Sequence, residues 1–193
     1  METTPKPLNL TVDILVQCGA HRASSAKYVD TINELFPFYS VDTHLRVSHI
    51  LAQLLHESNG FRAVLEYADG KTYEGRISLG NTQPGDGPRF RGRGLLQITG
   101  RANYTAFARK YKIDCINHPE LLEQPRWAVA GALWYWQGRN LNYYSDLDDV
   151  LAVSQIINQG SIPRAGFKRK APNGFADRVA KLAKCKAALA PLF

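Results

Sequence analysis

Apolar residues recur at helical spacing through most of the chain. The pattern is clearest over residues 42–58, where Val47, Ile50, Leu51, Leu54 and Leu55 follow the i, i+3, i+4, i+7, i+8 stripe of one buried helix face. Asp42 stands where a side-chain cap would start this helix, and Asn59-Gly60 supplies a stop. The same periodicity predicts helices over residues 11–22, 25–36, 101–112, 125–139, 146–158 and 174–189, with Pro125 suited to a first turn. Between residues 69 and 94 the pattern breaks. Glycines at 70, 75, 80, 85, 87, 92 and 94 and prolines at 84 and 88 predict a long loop or a small irregular hairpin region inside a mainly α protein. Long loops within helical domains are uncommon and tend to carry function. Beyond it, Leu95, Leu96 and Ile98 suggest a short buried strand.

One polar residue interrupts this order. Glu57 falls about 100° from the centre of the apolar stripe on a helical wheel, at the rim of the core and in the last turn. The helix dipole disfavours negative charge there, a setting in which a carboxyl group keeps its proton as a general acid must. Nine residues on, past the turn, Glu66 lies among the apolar anchors Phe61, Val64, Leu65 and Tyr67. Two carboxyls facing each other across a cleft are the equipment of glycoside hydrolysis. Two solvated surface glutamates fit the spacing equally well. In residues 90–104, FRGRGLLQITGRANY, Gln97, Thr99 and Asn103 are uncharged groups able to orient sugar hydroxyls or a water, although a turn leading into a helix also accounts for them.

Composition narrows the partners. At 193 residues and 45% hydrophobic the chain suits a single domain spanning residues 1–193, with residues 1–40 as either a helical layer completing the core or a wall-binding subregion. Its 24 Lys and Arg against 17 Asp and Glu give a net charge of +7, which favours anionic partners. Three scattered cysteines, Cys18, Cys115 and Cys185, predict no disulfide framework and no metal site, and no cofactor is expected. A zinc HExxH motif fails because position 60 is Gly, which leaves His49 and His56 as surface or outlying histidines. The basic runs Arg89-Arg91-Arg93 and Lys168-Arg169-Lys170 are solvated charge by default and phosphate contacts otherwise. Trp127, Trp134 and Trp136 are expected mainly in the core. The N-terminal segment is mixed amphipathic where a secretory signal would be uniformly apolar, so cytoplasmic synthesis is expected, without membrane insertion.

Taken together, HES with Glu57, the downstream Glu66, RGRGLLQITGRANY, AVAGALWYWQ, SQIINQG and FADRVAKL resemble the family 19 glycoside hydrolases, which include plant-type chitinases and chitinase-like bacteriophage endolysins. The likeness covers roughly residues 44–185. The short, cysteine-free gap between the glutamates is similar to the endolysin branch. It implies a helical lysozyme-like or chitinase-like fold and inverting hydrolysis without metal or cofactor. Glu57 would be the general acid, Glu66 the general base, and Thr99 the residue that helps hold the attacking water. Gln97, Asn103, Tyr104 and Asn158 would contact substrate, and Arg178 would serve the catalytic carboxylates. Two departures touch loop geometry: HES replaces the common HET, and Gln159-Gly160 replaces a common Gly-Gly.

The resemblance implies a monomeric endolysin cutting β-1,4 bonds of peptidoglycan, released from the host cytoplasm by a holin. Chitin is the alternative substrate. A basic wall-binding module without catalysis is the alternative class, whereas nucleic acid is disfavoured because paired glutamates repel phosphate.

Overall fold

The computed structural model describes residues 5–163 and 170–193. Among them the α-helices are α1 (Val12–Gln17), α2 (Arg22–Leu35), α3 (His44–Glu57), α4 (Asp86–Arg89), α5 (Arg101–Tyr111), α6 (Pro125–Gly138), α7 (Leu141–Asp146), α8 (Val150–Gln159) and α9 (Phe175–Leu189). The described residues contain no strand; two isolated bridges, Leu65 to Arg93 and Arg93 to Ile98, are the only β pairing among them. The chain divides into two compact units, Met1–Arg62 with Leu133–Phe193, and Ala63–Ala132.

The first unit is built round α3, whose residues Val47 to Leu55 are all buried. Thr43 caps this helix, its hydroxyl accepting from the Arg46 amide at 3.3 Å. The cap thus lies one residue later than the expected Asp42, which pairs loosely with Arg46 at 3.9 Å. The stop is double: Ser58 donates to the Leu54 carbonyl at 2.6 Å, and Asn59 and Gly60 turn left-handed at φ 51° and 68°. Helices α8 and α9 pack on α3, and α1 packs on both α2 and α9. Helix α1 is shorter than its apolar pattern, because Cys18 ends it before α2 begins. The helix expected over residues 146–158 is α8, which starts only at Val150, and an unexpected short helix, α7, precedes it and ends at Asp146. Asp148 turns left-handed (φ 53°) between them, and Asp149 caps α8 by accepting from the Ala152 amide at 2.9 Å. Local side-chain caps outcompeted helical continuity there.

In the second unit the glycine-rich stretch is neither structureless nor a hairpin. It folds as short 3-10 turns, Lys71–Tyr73 and Ile77–Leu79, followed by α4. Carboxylates organise it. Glu74 accepts from the amides of Gly85 (2.7 Å) and Gly87 (2.8 Å), and buried Asp86 accepts from Thr82 and Gln83 and pairs with Arg101 on α5 at 2.5 Å. That Arg101 bond, foremost, holds the Asp86 carboxyl below its ordinary range. Backbones touch where the stretch folds over itself: a Cβ on Gly70 would stand 2.6 Å from the Gly87 carbonyl oxygen. The expected strand at Leu95 to Ile98 is instead a turn over residues 94–97.

Candidate active site

Glu57 is the last residue of α3, and its side chain is 25% exposed. Its carboxylate accepts from Arg178 Nη2 at 2.5 Å, with Arg178 supplied by the first turns of α9 and only 1% exposed. The second arm of that guanidinium donates to Gln53 Oε1 at 2.5 Å, one turn back along α3, and Gln53 Nε2 donates to Ser154 on α8 at 3.1 Å. A buried relay from three helices thus fixes the direction of the Glu57 carboxylate. Arg178 thus lies against Glu57, and its burial leaves it no surface to offer a substrate. Sequence reading missed Gln53 as a participant; a polar side chain four residues before Glu57 on a buried face was the available signal.

Asn158 lies exposed near the end of α8, its Oδ1 accepting weakly from the Asn173 amide at 3.4 Å. Gly160 ends that helix in the left-handed region, so one glycine there is enough to close α8.

In the other unit Glu66 is held differently. Its Oε1 accepts from the Tyr73 hydroxyl at 2.8 Å and its Oε2 from the Gly92 amide at 2.9 Å, while its own amide donates to the Gly92 carbonyl. The bond to Glu66 is the leading reason the Tyr73 phenol is raised above its usual range. A side chain at Gly92 would crowd both neighbours: a Cβ would lie 2.6 Å from Gln97 Oε1 and 3.1 Å from Glu66 Oε2. Tyr73 was not foreseen as a partner; it sits in the stretch whose order periodicity does not report.

Gln97 turns left-handed (φ 52°) and its amide donates to the Gly94 carbonyl at 2.9 Å. The Thr99 hydroxyl donates to the Gln97 carbonyl at 2.9 Å, which leaves its lone pairs to accept from a water. Exposed Asn103 donates to the Thr99 carbonyl at 2.8 Å. Gln97, Thr99 and Asn103 are therefore one hydrogen-bonded group in the unit that carries Glu66.

Tyr104 is a correction. It is fully buried, its hydroxyl donating to the Arg91 carbonyl at 2.9 Å and accepting from Arg93 at 3.1 Å, so it cannot touch substrate. Burial, foremost, pushes its phenol up to about 12. The Arg89-Arg91-Arg93 run is solvated only in part, with Arg89 exposed, Arg91 half-buried and Arg93 buried. Arg93 is buried against Glu123 at 2.9 Å and Arg89 donates to the Ile116 carbonyl at 3.0 Å. Lys168 and Arg169 lie outside the described residues. His49 is not on the surface but fully buried, its Nε2 bonded to Asp148 at 2.8 Å, and burial, foremost, pulls its pKa down. Trp136 is core, as expected, donating to Asn142 at 2.8 Å. Among the described residues no group of three His, Cys, Asp or Glu is placed to hold a metal, and no helix is long and apolar enough to cross a membrane.

No family model matches the chain. It is 37% identical over 95 residues to a glycosyl hydrolase family 19 domain-containing protein of Haemophilus influenzae, covering 49% of this chain and 46% of that protein. It is also 32% identical over 116 residues to an endochitinase of Arabidopsis thaliana, covering 59% and 39%. The chain therefore spans less than half the length of these relatives. Its fold is shared with chitinase C of Streptomyces griseus (TM-score 0.71, 18% identity, 93% of this chain and 76% of that one). A class IV chitinase of Zea mays superposes with a TM-score of 0.59 at 18% identity, over 95% and 81% of the chains. By sequence the chain is thus similar to a family 19 domain-containing protein and to an endochitinase, and its fold is one shared with chitinases.

Proposed function

We propose that this chain hydrolyses β-1,4 glycosidic bonds of a GlcNAc-containing glycan by inverting acid-base catalysis, and that its substrate is bacterial peptidoglycan. The observation that carries the chemistry is that both glutamates are held by dedicated partners, Glu57 by Arg178 and Glu66 by Tyr73 and the Gly92 amide. Neither is a freely solvated carboxylate, Glu57 being 25% exposed and Glu66 half-buried. In this reading Glu57 protonates the leaving oxygen, Glu66 takes the proton of the attacking water, and Thr99 accepts a hydrogen bond from that water. Inversion requires the two carboxyls to work at roughly 6.5 to 9.5 Å, leaving room for the water between them and the sugar. Gln97, Asn103 and Asn158 are assigned to substrate.

The net charge of +7 supports the peptidoglycan assignment, because it would concentrate the protein at an anionic wall. An endolysin made in the cytoplasm and released by a holin is the physiological form of this proposal. Chitin is the second reading, favoured by the chitinase names of the relatives and of the proteins that share the fold. The test is mass spectrometry of soluble products from purified peptidoglycan and, separately, chitin oligomers, with wild type and Glu57→Gln. MurNAc-ended muropeptides from wild type alone would establish the muramidase. Chitin cleavage with intact peptidoglycan would transfer the reading to chitinase, and no product from either would leave a binding protein.

A further inference from the structure

One residue along from the Glu57–Arg178 pair, on both helices, lies a second polar cluster that the chemistry above does not use. His56 Nδ1 donates to Asp177 Oδ2 at 2.6 Å, and Lys181, one turn further along α9, places its ammonium 2.7 Å from both Asp177 oxygens. Burial pushes the Asp177 carboxyl up, but the Lys181 and His56 bonds outweigh it and hold the group below its ordinary range. The imidazole also lies close against the residue that caps α9: a Cβ on Gly174 would stand 2.2 Å from His56 Cε1. Helix ends favour this arrangement, with an acid in the first turn of α9 and an imidazole in the last turn of α3.

The same two helix ends therefore carry two bridges side by side, His56 to Asp177 and Glu57 to Arg178. Gln53 anchors the Arg178 guanidinium across to α3 at 2.5 Å, but on its own side of the seam its Nε reaches the Asn173 carbonyl only at 3.4 Å. We propose that Asp177 is a positioning residue, which through His56 clamps the first turn of α9 to the last turn of α3 and so keeps the Arg178 guanidinium in register with the Glu57 carboxylate. Lys181 pre-orients Asp177 for this task. The proposal rests on Glu57 being the general acid. Beside the clamp opens a pocket of about 620 Å³, lined in part by His21, Asn59 and Arg62 together with His56, Asp177 and Lys181, so a side chain one methylene longer at position 177 has space.

The experiment compares wild type, Asp177→Asn, Asp177→Glu and Lys181→Gln by steady-state kinetics on glycan, thermal melting, and the ¹H–¹⁵N resonance of the Arg178 Nε–H. Misplacing a catalytic group by about an ångström costs on the order of 10²-fold, so Asp177→Asn should lower kcat roughly 10- to 100-fold with KM nearly unchanged. The Arg178 resonance should shift or broaden, and Asp177→Glu should recover most of kcat. An unchanged kcat in Asp177→Asn, or a lowered kcat with an unmoved Arg178 resonance, would overturn the clamp. Should Asp177→Asn melt below the assay temperature, Lys181→Gln decides: a partial fall in kcat with a moved resonance supports the clamp, and neither change sinks it. Wild type inactive on every glycan would defeat the enzymatic reading instead, and the Arg178 resonance of the variants would still decide whether the clamp exists.

Discussion

The two units hold their glutamates by opposite means. In the helical unit Glu57 is fixed by charge, through a buried guanidinium that is itself anchored to Gln53 and, through it, to Ser154. In the glycine-rich unit Glu66 is fixed by neutral donors, a phenol and a backbone amide, on a segment with little regular structure. The difference follows from what each scaffold offers. Packed helices bring long side chains from distant positions into one dry place, where a guanidinium can serve two acceptors. A folded-over loop offers its own amides at close range, provided glycine lets the backbones approach. Under the proposed mechanism these different surroundings would divide the roles of acid and base between two identical side chains.

The sharpest test of this comparison is to remove each carboxyl in turn. Glu57→Gln and Glu66→Gln should each lower kcat by about 10²- to 10⁴-fold, the range general acid-base groups contribute, while leaving the melting temperature close to wild type. Next in size is the buried cation. Arg178→Met strands Gln53 and Glu57 and should lower stability by about 3 kcal/mol in urea unfolding, the low end of what truncating a buried pair costs. Tyr73→Phe, its counterpart in the other unit, removes one hydrogen bond from an uncharged donor to a carboxylate and should cost about 1.5 kcal/mol, or roughly tenfold in kcat. Equal stability losses for Arg178→Met and Tyr73→Phe would erase the distinction between charged and neutral support.

The smallest effect is on pH dependence, and its sign also separates the units. Buried His49 in the helical unit has a folded-state pKa below the unfolded value of about 6.5, so in acid the unfolded chain binds the extra proton and stability falls as pH drops below that value. In the glycine-rich unit Asp86 is depressed, so its contribution persists above the unfolded carboxyl value of about 3.9 and is lost only as pH falls through its lower folded value. Hydrogen exchange at pH 5 against pH 7 should therefore loosen amides of α3 before those near Asp86. Simultaneous loosening would show that His49 titrates without consequence.

Legibility in the sequence divided along the same line. Helices α3, α8 and α9 were readable because their apolar positions repeat at helical spacing and their cores are made of those positions. The break between α7 and α8 was hidden, since Asp148 and Asp149 act through local hydrogen bonds that periodicity ignores. The glycine-rich stretch looked like a loop because its order comes from Glu74 and Asp86 gathering backbone amides, some more than ten residues away. At the site, motif likeness singled out both glutamates, Thr99 and Arg178. Tyr104 was assigned to substrate through its place in the motif RGRGLLQITGRANY, yet the helix turns it inward to satisfy Arg93.

Gln53 has a consequence at the level of the gene. Glutamine and glutamate codons differ by one base, and the two side chains have nearly the same shape. Glu at position 53 would fit the same space, but it would offer Arg178 a second full negative charge beside the one it already serves. The protein thus stands a single transversion from a folded form in which the arginine is shared between rival carboxylates. Selection at this position would act on an amide nitrogen that itself never meets a sugar.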